Sequence, residues 1–99
     1  MSALAVLSAI SRSVRYGFDI MDATDLPSGT VYPILRRLED DGLAKSRWER
    51  EGAARREQRP PRRYYELTGA GETRLAEARA RYRALESLAP HLARRWKPA

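Results

Sequence analysis

Guanidinium groups crowd one short stretch of this chain. Between residues 44 and 63 eight basic side chains stand against three acidic ones, a net charge of +5, and Arg55, Arg56, Arg59 and Arg62 fall within eight consecutive positions. The flanking segments are better balanced, at −2 over residues 1–43 and +3 over residues 64–99, so the overall +6 is concentrated rather than spread. Such a local excess suits a polyanion, the plain alternative being a solvated charged loop. A second anion-binding device stands upstream. Ser28, Gly29 and Thr30 open an apolar-periodic run, and three small residues at a helix start leave backbone N–H groups open at its positive end, where a phosphate is readily held.

Catalytic and metal chemistry find no comparable support. The 99 residues contain no cysteine and a single histidine, His91, so there is no disulfide framework, thiolate metal site or His-paired nucleophile. Asp19, Asp22 and Asp25 lack a partner base and a Gly-rich phosphate loop. The chain is therefore expected not to be an enzyme and to need no cofactor or metal. Its longest apolar run, around Ala3 to Ile10, is too short to span a bilayer and has no basic leader or cleavage site, which predicts a cytoplasmic protein with no membrane partner.

The elements that must position the arginines follow from periodicity. Ala3, Val6, Leu7, Ile10 and Val14 fall at helical spacing and predict a first helix with one apolar face. A short second helix is predicted from Gly17 to Ala23, with Phe18 and Met21 facing inward, followed by a compact turn at "TDLP". In "PSGTVYPILRRLEDDGL", Val31, Ile34, Leu35 and Leu38 predict a third helix over about 28–41, stopped by Gly42. After Leu43 the period changes. "AKSRWERE" and "RRYYELT" alternate as strands, and "GAARREQRPP" between them becomes a hairpin loop over about 52–61, with Arg55, Arg56 and Arg59 at its tip. Trp48, Tyr64 and Tyr65 are expected in sheet packing, a stacking role being the alternative. Thr68 is a predicted N-cap, with Glu72 in the first turn of a long helix toward Pro90. The resulting class is mostly α with a small β-hairpin: a winged helix-turn-helix domain over 1–67, with 52–61 as the wing, and a C-terminal dimerisation helix over 68–99.

On that frame the third helix has a direction. At about 100° per residue, the face opposite Val31 and Leu38 holds Gly29, Pro33, Arg36 and Asp40, with Tyr32 and Arg37 at its flanks and Thr30 beside Arg37. Pro33 is harmless if Thr30 is the N-cap; if the helix starts near Ser28, one backbone hydrogen bond is lost. Glu39, Asp40 and Asp41 repel phosphates, so the N-terminal turns are the ones that approach nucleic acid. Arg36 then reaches a guanine edge and Tyr32 a base or phosphate in the major groove. The alternative is that Arg36 and Arg37 only solubilise the face and pair with Asp40 and Asp41.

These blocks carry a family resemblance. "PSGTVYPILRRLEDDGL", then "SRWE", a basic wing, and "RRYYELTGAG" before a terminal helix resemble the PadR family of bacterial winged-helix transcriptional regulators over roughly residues 3–85. "YGFDI" resembles the block that opens the family's second helix, with Tyr16 where a histidine is usual. The wing is longer than the family's type, with Arg59-Pro60-Pro61-Arg62 in that place. The resemblance implies a homodimeric repressor reading a palindromic operator, with Tyr16, Ser28, Thr30, Tyr32 and Arg36 among its DNA contacts. It also implies the short class of member, and a small aromatic effector near the dimer contact, stacking on Trp96 or Tyr82.

In the terminal helix, Leu75, Ala78, Tyr82, Leu85, Ala89, Leu92 and Trp96 recur in steps of three and four, longer than one small domain needs to cover. Part of the stripe is expected to meet its copy in a twofold dimer, with a break or kink near Pro90, the alternative being that the whole stripe folds back on its own domain and leaves a monomer. A winged helix that docks an acidic protein instead of DNA is the alternative function.

Overall fold

The computed structural model describes residues 2–88, in the order α1 Ser2–Ser11, α2 Gly17–Thr24, α3 Ser28–Asp40, β1 Ala44–Trp48, α4 Glu51–Arg56, β2 Arg63–Leu67 and α5 Gly69–Leu88. The kink near Pro90, His91 and the stripe positions Ala89, Leu92 and Trp96 lie outside the described residues.

Helical periodicity delivers one core. Val6, Leu7 and Ile10 of α1, Ile20 of α2, Val31, Leu35 and Leu38 of α3, and Leu75 of α5 bury together with Leu43, Ala44 and Tyr65 of the hairpin. Three expectations need correction. Ala3 stays exposed at the start of α1. Phe18, expected to face inward, is 76% exposed, and Ile20 fills the core from α2 instead. Leu75 is only 3% exposed and belongs to this domain's own core, which removes it from any contact with a second copy.

The turns follow from local backbone chemistry. Asp25 ends α2 in the left-handed conformation, and Pro27 caps α3, so "TDLP" is the tight link of the helix-turn-helix. Gly42, at φ +73°, closes α3: its N–H donates to the Glu39 carbonyl and the Leu43 N–H donates back to Leu38 at 2.8 Å. Glycine adopts that conformation without a Cβ penalty. Thr68 caps α5 as expected, its Oγ1 accepting the Gly71 N–H at 3.1 Å while its hydroxyl donates to the Gly42 carbonyl at 2.6 Å. One threonine thus couples the end of α3 to the start of α5.

β1 and β2 pair antiparallel, from Ala44 opposite Leu67 to Trp48 opposite Arg63. Arg15 and Tyr16 add a short third edge, with a bridge from Tyr16 to Tyr64 and the Tyr65 N–H donating to the Arg15 carbonyl at 2.9 Å. The wing departs from a plain loop. Residues 51–56 form α4, whose exit has Gln58 at φ +55° and the Arg59 N–H donating to the Ala54 carbonyl, so the chain turns sharply back. "GAARRE" has helical propensity that an irregular loop does not need, and Ala54, 1% exposed, anchors it.

Candidate nucleic-acid interface

The start of α3 is built as an open anion site. The Pro27 carbonyl accepts the Thr30 and Val31 N–H groups at 2.9 and 3.0 Å, so Ser28 and Gly29, both exposed, keep N–H groups that the helix does not use. With the helix starting at Ser28, Pro33 falls beyond the first turn and one intrahelical hydrogen bond is lost, the second of the two cases weighed above. The acceptor freed is the carbonyl of Gly29, on the outward side. Tyr32, Pro33, Arg36 and Arg37 are exposed and Thr30 half-buried, as the helical wheel requires. Among the described residues neither Arg36 nor Arg37 is ion-paired with Asp40 or Asp41, so both guanidinium groups remain open to an external acceptor.

Tyr32 is placed by Gly17. The ring lies so close over the start of α2 that a Cβ at residue 17 would stand 2.5 Å from the Tyr32 hydroxyl oxygen. The tyrosine is 45% exposed and forms one wall of a groove between α3 and the hairpin. Tyr16, Phe18, Arg36, Trp48, Arg62 and Arg63 also line this groove, with Glu39 and Asp40 at the far end of α3. Of the expected contact residues, Tyr16, Tyr32, Arg36 and Arg62 are therefore brought together.

A carboxylate at the base of the wing organises the rest. Glu49, its side chain only 10% exposed, accepts a two-pronged interaction from the Arg59 guanidinium, the Tyr16 hydroxyl at 3.1 Å and the Arg62 backbone N–H at 3.2 Å. Its own N–H donates to the Arg62 carbonyl at 2.8 Å. The hydrogen bonds from Arg59 are the main reason its pKa is held down, from the ordinary 4.5 to about 2, against a smaller opposing effect of desolvation. Glu49 and Glu57 in turn raise the Arg59 pKa. The Arg62 guanidinium stacks 3.9 Å over the Tyr16 ring, which meets Tyr64 edge-on at 6.3 Å. Three separate segments are joined at this carboxylate: the link before α2, the end of β1 and the connection from α4 to β2.

The arginines expected at the wing tip therefore divide. Arg55 and Arg56 are exposed on the last turn of α4. Arg59 is turned back onto Glu49 and Glu57 and serves as a clasp, a correction to its expected place at the tip. Trp48, expected in sheet packing, is 67% exposed, while Tyr65 is buried as expected. Glu49, Phe18, Trp48 and Arg63 were not among the expected site residues. The one signal for Glu49 was an acid set inside a strongly basic segment.

Among the described residues no helix is long and apolar enough to cross a membrane, and no cluster of His, Cys, Asp or Glu could hold a metal ion. No curated protein matches the chain. The solved structures give clear neighbours. A PadR-like transcription factor from Bacteroides fragilis is 32% identical, with a TM-score of 0.73 over 92% of this chain and 88% of that one. A PadR family transcriptional regulator from Eggerthella lenta is 30% identical, with a TM-score of 0.65 over 88% of this chain and 79% of that one. A PadR family regulator from Clostridium difficile shares the fold at 24% identity and a TM-score of 0.80. The model of the transcriptional regulator PadR-like family matches residues 6–77, which span the helix-turn-helix, the wing and the first turns of α5. The chain belongs to the PadR-like family of transcriptional regulators.

Proposed function

We propose that the protein is a homodimeric repressor that binds a palindromic operator, with α3 in the major groove, N-terminal turns first, and the wing on the backbone or minor groove. The observation that carries this reading is the polarity of α3. Free N–H groups at Ser28 and Gly29 open the helix, the exposed Tyr32, Arg36 and Arg37 follow along its outward side, and Glu39, Asp40 and Asp41 close it. A surface so polarised attracts a polyanion at its start and repels it at its end. Arg55 and Arg56 on α4 supply a second cationic contact, and Tyr16 and Arg62 flank the groove between them.

Dimerisation rests on α5. Beyond Arg79, which donates to the Ser8 hydroxyl at 2.9 Å, the helix exposes Tyr82 at 37%, Leu85 at 59% and Leu88 at 84%. Ala78, Tyr82, Leu85 and Leu88 are the described positions for contact with a second copy, and Tyr82 is the aromatic there on which a small aromatic effector would stack. Two α3 helices about 34 Å apart then meet successive turns of DNA.

The exposed Phe18 and Trp48 favour a second reading, a module that docks protein through an aromatic groove. Fluorescence anisotropy with labelled duplex at ~50 to ~200 mM salt separates the two. DNA binding gives a slope of log K against log salt near −0.9 for each phosphate neutralised. No duplex binding at the lowest salt would sink the DNA reading.

A further inference from the structure

We propose that the groove between α3 and the hairpin holds the sugar–phosphate strand that separates the major from the minor groove, with Phe18 and Trp48 packed on its deoxyribose faces; this rests on the DNA-binding reading above. Phe18 comes from α2, Trp48 from the end of β1 and Tyr32 from α3, yet all three line one groove. Phe18 and Trp48 are 76% and 67% exposed, and large apolar groups gathered on a surface mark a contact site. Arg36, Arg62 and Arg63 line the same groove, Arg36 without an ion pair among the described residues, Arg62 3.7 Å from Glu49 and Arg63 3.4 Å from Glu39. An occupant that presents apolar and anionic groups within a few ångströms of each other fits this lining. A nucleic-acid strand does so at every nucleotide, as sugar followed by phosphate.

Topology points to the same occupant. A recognition helix in the major groove and a wing at the minor groove of one duplex face straddle the strand between those grooves. That strand passes between α3 and the hairpin, where the aromatics stand. Glu39 and Asp40 line the end of the groove near the C-terminus of α3, and Arg63 Nη2 lies 3.4 Å from Glu39. Phosphates are repelled from that end, so the strand runs past the Arg62 side. The acids set its path.

The contact is apolar and independent of base sequence, which makes it separable from the charged contacts. Trp48→Ala and Phe18→Ala, made in the full chain, are expected to weaken binding of a random-sequence duplex roughly three- to tenfold each. The slope of log K against log salt should stay at the wild-type value, because an uncharged side chain releases no counterions. Trp48→Phe should restore most of the affinity. Arg56→Ala, a charge-removing control on α4, should flatten the slope by about 1. Thermal melts establish that each variant is folded; should Trp48→Ala melt early, Phe18→Ala carries the test. Variants of both aromatics that bind duplex as tightly as wild type overturn the assignment while leaving the DNA reading intact. Loss of a protein partner from both variants, with duplex affinity unchanged, overturns it in favour of a protein-docking groove. A wild-type chain that binds no duplex removes the DNA reading itself.

Discussion

The Tyr32 ring occupies the space that a Cβ on Gly17 would need, with the hydroxyl oxygen 2.5 Å and the nearest ring carbons 2.8 Å from that position. Gly17 is the first residue of α2 and Tyr32 sits on the outward face of α3, so the missing side chain sets where the tyrosine points. In Gly17→Ala the ring of Tyr32, a residue 45% exposed, gives way more easily than the backbone. Stability should change by less than about 1 kcal/mol, since alanine is the better helix former, while duplex affinity falls. A double-mutant cycle with Tyr32→Ala checks the cause. If Gly17→Ala weakens binding as much without the tyrosine as with it, Tyr32 is not the group displaced.

Gly71 gives the opposite case. A Cβ there would lie 1.9 Å from the Leu43 carbonyl oxygen, which is backbone and cannot swing aside. Gly71→Ala should push α5 off the end of α3 and destabilise the fold by ~1–3 kcal/mol or more. Urea denaturation checks this, with an unchanged midpoint as the contrary result.

Acid should loosen the wing. The folded-state pKa of Glu49 lies below its ordinary value, so the ionised carboxylate stabilises the folded chain at neutral pH. That contribution is complete above about 4.5 and is lost as pH falls toward about 2. The difference in melting temperature between wild type and Glu49→Gln should be steady from pH 7 to ~5 and shrink below pH ~4. A difference that does not vary with pH would show that the carboxylate's charge is not what holds Arg59 and Tyr16.

Arg36 and Arg56 should fail differently. Arg36 stands free on the outward face of α3, and Arg36→Ala should relax preference at one base pair per half-site by ~1–3 kcal/mol. Arg56→Ala should weaken all duplexes about equally. Competition between operator and random DNA measures both. Equal loss on both duplexes in Arg36→Ala contradicts base reading.

The proposed dimer is best tested by substitution, because Leu75 and Arg79 serve the domain's own fold and ending the chain after Arg74 would remove both. Leu85→Glu, at a position 59% exposed, should leave the melting temperature of the domain nearly intact and shift the mass toward the monomer in light scattering. An unchanged dimer mass excludes this stretch of α5 as the contact.

Much of the architecture was legible because it is local. Apolar spacing marked α1, α3 and the face of α3 turned to solvent, Gly42 and Thr68 marked a helix stop and start, and alternation marked both strands. The charge gradient along α3 was equally plain, since a helix fixes the order of its residues. Phe18 and Trp48 are exposed against expectation because periodicity reports which residues share a face, not whether another element arrives to cover it. In "GAARRE" a weak helical tendency competed with loop signals from Gly52 and the two prolines, and α4 formed where Ala54 found a buried seat. The sequence by itself therefore determined the winged helix-turn-helix, the order of charges along its third helix and the basic character of its wing. Only the tertiary structure decided which cations remain free. Glu49 reaches Arg59, Arg62 and Tyr16 because the chain folds back at Gln58 and Tyr16 pairs beside β2, and contacts across ten to thirty-three residues leave no period to be read.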